Sequence, residues 1–298
     1  MATVRRVRGL PLIGGLPVKA LFQQPIFVDS STGSDDNDGT NPEQPLATLA
    51  DAFDSSKVAT NGIVIVLPGH SESVTAAAGI DADIAGVHVL GLGEGSARPT
   101  INVTTATTAD IDIDAANITF ENLIFDLTGI DAVAGGIDVN AANFTLKKSE
   151  VVMADAGGQA VVGVLGDANA DDLTVEDCLF RSTSDAGPAA CIRIIGSDHP
   201  VIKNNILYGD FSVSPIENVT TACTRVFIEG NDMDNYNAND FGITLVATTD
   251  GSIRYNTIRV ATNGQVTFIT AGNDCQLYEN YGVNADGETG MLEGTVSS

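Results

Sequence analysis

The chain has 298 residues, of which 43% are hydrophobic and only 5% aromatic, with no Trp and 31 Gly. This excludes a disordered chain and leaves a core of Val, Ile, Leu and Ala, the composition of stacked strands. The net charge of −25 divides into +4 over residues 1–25 and −29 over residues 26–298 (10 basic, 39 acidic), which excludes direct nucleic-acid binding by the body, since phosphate contacts need a positive surface.

Residues 1–25 read as an extended basic arm. Gly14, Gly15 and Pro17 interrupt the apolar run, and Lys19 follows it, so the segment is not a signal peptide. No stretch reaches the ~20 apolar residues of a membrane span, so no membrane partner is expected. The arm combines Arg5, Arg6, Arg8 and Lys19 with Leu10, Leu12, Ile13, Leu16, Leu21 and Phe22. A segment of this kind cannot bury a core alone and orders on a partner surface. These ten residues are the candidate docking residues.

Residues 26–59 read as a strand, a turn and a capping helix. The run Ser34-Asp35-Asp36-Asn37-Asp38-Gly39 has EF-hand-like residues at Asp36, Asp38 and Gly39. Ser34 stands at the first ligand position and Pro45 at the twelfth, so it is not an EF-hand. It is read as a turn, and no metal or cofactor is assigned. Leu46, Leu49, Ala50 and Phe53 then form an apolar helical stripe, with Thr48 and Asp51 as a capping box.

Residues 60–283 carry a repeat. The segments ITFENLIF, FTLKKSEV, LTVEDCLF, PVIKNNIL, VFIEGNDM, GSIRYNTI and CQLYENYG align on Phe120, Leu146, Val175, Ile202, Ile228, Ile253 and Leu277, at gaps of 26, 29, 27, 26, 25 and 24 residues. Short apolar strands precede them, among them DIDID at 110 and CIRII at 191. Strand, turn, strand and loop at this period describe a solenoid whose coils bury their apolar sides only by stacking. Three residues after the anchor stand Asn205, Asn231, Asn256 and Asn280. Asn suits a bend, and stacked Asn side chains can bond to one another along a rod, so these four read as a structural ladder. Residues 284–298 read as a polar tail.

These features resemble the single-stranded right-handed parallel β-helix of the pectate-lyase-like superfamily. IFVDSSTGSDDNDGTNPEQPLATLADAF resembles the family's first strand, turn and capping helix. IVIVLPGHSESV and VHVLGLGEGSARPTI resemble its first coils. The wording is similar to virion-associated β-helix proteins of tailed bacteriophages. That resemblance implies an all-β rod, a homotrimer and a place on the phage particle.

Candidate chemistry is sparse. A lyase needs a basic proton abstractor, and Lys147-Lys148 is the single basic pair of the body. A glycosidase needs two carboxylates. Asp112 and Asp114 share a strand face, but any solvent-facing strand gives that spacing. Tyr208, Tyr236, Tyr255, Tyr278 and Tyr281 cluster late. His70, His88 and His199 lie in separate coils without a nucleophile partner. Cys178, Cys191, Cys223 and Cys275 form no CxxC and read as free thiols. No catalytic residue is assigned, and the expectation is a non-enzymatic structural virion protein. It would decorate or cement the capsid, anchored through the arm to the major capsid protein or another virion protein. The alternative is a tailspike-type β-helix that binds or cleaves glycans.

Overall fold

The structure is a computed structural model. It describes residues 4–7, 10–13, 16–17, 24–54, 57–154, 160–182, 187–237, 241–262, 268–270 and 274–292. Three long sheets run along one rod, and within each the neighbouring strands come from successive coils. The first sheet stacks ten parallel strands, from Ile26–Val28 to Asp274–Tyr278. The second stacks eight, from Ile80–Asp81 to Ile269–Thr270. The third stacks nine parallel strands from Ser71–Val74 to Asn280–Val283, and the antiparallel strand Thr289–Leu292 closes its end. Nine inter-strand steps in the first sheet give a rod of roughly 43 Å at about 4.8 Å per step. The architecture is the parallel β-helix that the repeat implies.

The anchor register is the one read from the repeat. Phe120, Leu146, Val175, Ile202, Ile228, Ile253 and Leu277 are direct partners across successive strands. The column continues backwards through Val89 and Val64 to Ile26. The other two sheets contribute inward columns such as Ile111, Ile137, Val164 and Ile192, and Phe125, Val151, Phe180 and Leu207. All of these are buried except Leu277, which is partly so. Each such side chain contributes about 1.5–3 kcal/mol by leaving water.

Each coil has three strands, where the sequence pattern suggests two. Segments such as ITFENLIF are broken into the strands Thr119–Glu121 and Ile124–Ile130. The break is a left-handed residue, repeated in column: Asn122, Lys148, Asp177, Asn204, Gly230, Tyr255 and Glu279 all have φ between 48° and 67°. A second left-handed column, including Asn61, Asn117, Asn143, Asp172 and His199, lies just before the first sheet. Single residues in this region bend the chain sharply, and Asn and Asp tolerate it best. Strand Ile216–Asn218 also has no counterpart in the sequence reading; it pairs with Ala190–Ile194 and Ile243–Thr244.

The Asn column follows each corner directly. Asn231 Oδ1 accepts from the backbone N and the Nδ2 of Asn205, both at 3.0 Å. Asn256 Oδ1 accepts in the same way from Asn231, and Asn280 Oδ1 from Asn256. Each Nδ2 also donates to a carbonyl of the preceding coil, as Asn256 does to Ile228 O at 3.0 Å. All four are buried. Further back, Asn205 Oδ1 takes Cys178 N, and Ser149 Oγ takes Leu123 N.

The outer face of the first sheet carries a charge ladder. Glu121, Lys147, Glu176, Lys203, Glu229 and Arg254 stand in register with alternating sign. Ion pairs join Lys147 to Glu121 at 3.0 Å, Lys203 to Glu176 at 3.1 Å and Arg254 to Glu229 at 3.1 Å. Opposite charges across a strand pair contribute roughly 0.2–1 kcal/mol each, and like charges would cost as much.

The N-terminal end is capped by the helix Leu49–Ala52, shorter than the apolar stripe suggests. Thr48 is its N-cap and accepts from Asp51 N at 3.2 Å. Glu72 Oε2 accepts from Leu49 N at 2.6 Å, so the third sheet also caps this helix. Leu46, Leu49, Ala52 and Phe53 are buried, and the Phe53 ring meets Phe120 at 6.3 Å. The tail is not wholly free of structure, because Thr289–Leu292 pairs with Asn280–Val283.

Replacing Asn256 by Ala should lower unfolding free energy by about 3 kcal/mol, because it orphans buried donors and acceptors on both adjacent coils. Urea melts of the full chain would check this, and a loss below about 1 kcal/mol would deny the ladder its structural role.

Candidate functional site

Arg5 and Arg6 lie in strand Val4–Val7, Leu10, Leu12 and Ile13 in strand Leu10–Ile13, and Leu16 in strand Leu16–Pro17. The three strands form a small antiparallel sheet, with Val4 opposite Ile13 and Leu12 opposite Pro17. The arm is therefore not simply extended. Its sequence offers Arg8-Gly9 and Gly14-Gly15 between strands, the glycine-bearing pairs that two-residue hairpins favour. Arg8, Lys19, Leu21 and Phe22 lie outside the described residues.

The Asp-rich turn uses its carboxylates internally. Asp29 accepts from Ser31 N, Ser31 Oγ and Thr32 Oγ1, and Asp38 accepts from Thr40 N and Oγ1. Asn37 Nδ2 donates to Pro45 O at 2.7 Å. Among the described residues, no group of three or more His, Cys, Asp or Glu is arranged to hold a metal ion. Lys147 and Lys148 both bind Glu121, which His88 also meets at 3.1 Å. Burial opposes the charge on Glu121, but these three partners outweigh it and hold the carboxyl well below the usual range. The basic pair is thus consumed by a surface network. Of the four cysteines, Cys178, Cys191 and Cys223 are buried free thiols, and Cys275 Sγ donates to Thr249 O at 3.2 Å.

The second sheet breaks the alternation of charge. Asp81, Asp112 and Asp138 are direct neighbours in one column. Burial, then the surrounding carboxylates, raise Asp112 to about 7 and Asp138 to about 6. One oxygen of each is buried without a hydrogen bond. Asp114 shares the Asp112 face, as its spacing implies, but Asp110 of the same coil and Asp138 of the next act on Asp112 more strongly. Like charges in register cost stability.

The third sheet brings together a set that is scattered in sequence. Tyr208, Asp234 and Arg259 stand side by side on three successive strands, Ile206–Gly209, Asp232–Asn235 and Thr257–Val260. Ile206 and Asp232 form the next outward column. Alternation sends Leu207, Met233 and Ile258 inward, where all three are buried, so the polar residues face out. With Tyr236 they line a shallow open groove of about 200 Å³. Arg259 Nη1 donates to Asp232 Oδ1 at 2.7 Å. Burial raises the Asp234 pKa, the Arg259 charge acts against that, and Asp232 adds to it. Ile206 is 51% exposed, an apolar floor open to solvent. The groove thus offers two aromatic rings, an ion-paired carboxylate and a second carboxyl whose pKa is raised. The sequence signal for it was the late cluster of tyrosines. What was missing was the third strand of each coil, which puts residues 208, 234 and 259 shoulder to shoulder.

No family model matches the chain, and no curated protein matches it significantly. Several solved structures are similar. A lacto-N-biosidase of family GH136 from Eubacterium ramulus aligns at TM-score 0.48 and 11% identity, over 86% of this chain and 67% of that one. A rhamnogalacturonan lyase aligns at 0.42 and 13%, over 86% and 87%. A Geobacillus virus E2 protein, ORF18, aligns at 0.34 and 13%, over 94% and 67%. These likenesses concern the fold alone. Two of the three carry enzyme names, against the expectation of a non-enzymatic chain. The sequence reading missed the groove because Tyr208, Asp234 and Arg259, which come from three different coils, meet only when the coils stack. Among the described residues, no helix is long and apolar enough to cross a membrane.

The acidic column predicts a pH effect of definite sign. Asp112 and Asp138 have folded pKa values above the ordinary 3.8. Their contribution is therefore greatest at acid pH and is lost as pH rises through 6 to 7. Asp112→Asn should melt a few °C above the parent at pH 8, and the gap should close near pH 4. Paired thermal melts across that range would check it.

Proposed function

We propose that the chain is a glycan-engaging β-helix of the tailspike type, with the groove on its third sheet as the sugar site. The observation that carries this reading is the convergence of Tyr208, Tyr236, Asp232, Asp234 and Arg259 on one open face. Tyrosine offers a flat apolar ring with a polar tip, suited to a sugar face. The groove is smaller than the ~300–1,000 Å³ of enclosed small-molecule clefts. That suits one unit of a polymer lying across an open surface.

The same residues can support hydrolysis. Asp234, whose pKa burial raises, is the group we assign to give a proton to a glycosidic oxygen. Asp232, oriented by Arg259, is the carboxylate that would act as base or nucleophile. Two positions along a strand separate their backbones by about 7 Å, within the range in which carboxyl pairs of about 5–9.5 Å serve glycoside hydrolysis.

The arm supports a second role beside the first. Its +4 charge, set against −29 for the rest of the chain, suits anchoring to a virion protein of the capsid or tail. The phage-like wording of residues 26–53 supports a place on a phage particle, and capsid decoration is the finer reading of that anchor.

Incubating the full chain with a panel of bacterial surface polysaccharides and neutral oligosaccharides tests the sugar site. Binding and release of reducing ends are the expected result. Asp234→Asn should cut release by about 100-fold or more while binding persists, and Tyr236→Ala should weaken binding about tenfold. Release should decline as pH rises through the raised pKa of Asp234, because the proton donor is then lost. Absence of both binding and release across the panel would refute the reading. Separately, removing residues 2–24 should abolish incorporation into particles while leaving the β-sheet circular dichroism intact; normal incorporation would dismiss the anchor.

A further inference from the structure

Beside the groove, the corner between the first and third sheets carries a second aromatic feature. Its left-handed column holds Asn, Asp, Gly, Lys or Glu in the other coils, but Tyr255 in the coil that also supplies Arg259. A bulky residue at φ 58° is a true outlier. Burial does not compensate for it, because Tyr255 is 46% exposed. Its ring is nevertheless held in place. Tyr278, itself 52% exposed, meets it edge-on, with centroids 5.6 Å apart and planes at 87°. Arg254 lies 4.7 Å from the Phe227 ring centre and 5.9 Å from that of Tyr255, and Glu229 pins its guanidinium at 3.1 Å. A strained, exposed and immobilised ring is what a stacking site needs, since the ordering cost is met before the ligand arrives.

The corner runs straight into the groove. Asn256 follows Tyr255, and the strand Thr257–Val260 then carries Arg259 to the groove wall. Four residues of extended chain span at most about 13 Å, so one ligand of a few sugar units can touch both places.

The charges along this path define the class of ligand. Arg254 is engaged by Glu229 and Arg259 by Asp232. With both groove-side arginines neutralised, a body of net −29 opposes a polyanion. Resting on the glycan reading above, we infer that Tyr255 and Tyr278 form an outer stacking subsite for a neutral oligosaccharide whose inner units occupy the Tyr208–Tyr236 groove. The chain would cross the corner of the rod, and affinity would grow with its length until the corner is covered.

The test uses the full chain and a fluorophore-tagged series of neutral oligosaccharides of increasing length, with polygalacturonate fragments of matched length beside it. In the parent, affinity should rise with neutral chain length and exceed that for the polygalacturonate fragments. Tyr255→Gly removes the ring and relieves the backbone, so folding is preserved, as melting would verify. It should weaken the longest ligands about tenfold, the equivalent of one stacking contact, and leave the shortest bound as before. Tyr255→Phe should bind like the parent. Tyr236→Ala, in contrast, should weaken every length. Unchanged long-chain binding by Tyr255→Gly, or tighter binding of the polygalacturonate fragments, would overturn the outer subsite and leave the groove standing. Failure of the parent to bind any member of either series would overturn both.

Discussion

Everything in this molecule depends on strands stacking in parallel and in register, one coil per step of about 4.8 Å. Under that constraint each residue sits directly on its counterpart from the coil before. A single position therefore becomes a column, and a column has one environment from end to end. The inward columns must be apolar throughout, because no coil can bury its own inner face. Corner columns must tolerate left-handed backbone, and they collect Asn, Asp and Gly for that reason. The polar groups that corners bury must bond along the rod, which is what Asn205, Asn231, Asn256 and Asn280 do.

The same stacking amplifies electrostatics. On the first sheet it is used well, with Glu121, Lys147, Glu176, Lys203, Glu229 and Arg254 alternating in sign. On the second sheet it is not: Asp81, Asp112 and Asp138 stand in one column, and burial, then the surrounding carboxylates, raise Asp112 to about 7 and Asp138 to about 6. A chain with 39 acidic residues cannot avoid every such collision. The column is best understood as a liability of acidity in a stacked fold, and its carboxylates need no ligand to account for them.

The proposed sugar site, in contrast, sits where columns are interrupted. In its earlier coils the outer face of the third sheet carries Ser, Thr, Asn and aliphatic residues and the Glu150–Arg181 ion pair, with no aromatic ring. Between the coils of Tyr208 and Arg259 it gains aromatic rings, and the neighbouring corner exchanges its usual polar residue for Tyr255. All five tyrosines of the chain fall in these last coils. Such local departures from a repeat are where a solenoid can acquire chemistry, because the scaffold on either side holds them rigid.

The repeat itself was legible without coordinates. The anchors from Phe120 to Leu277 pair as aligned, since the apolar period and the stacking period are one quantity. The Asn positions were legible too, being tied to the anchor at a constant offset. The third strand of each coil was not, because a single left-handed residue such as Asn122 or Lys148 leaves no composition signature inside an eight-residue apolar segment. Without that strand the residues Tyr208, Asp234 and Arg259 look unrelated, each 25 or 26 positions from the next. Sequence alone determined that the chain is an acidic parallel solenoid with a basic arm, because hydrophobic period and charge are local sums. Only the tertiary structure decided which outward residues meet, because that depends on where each coil turns.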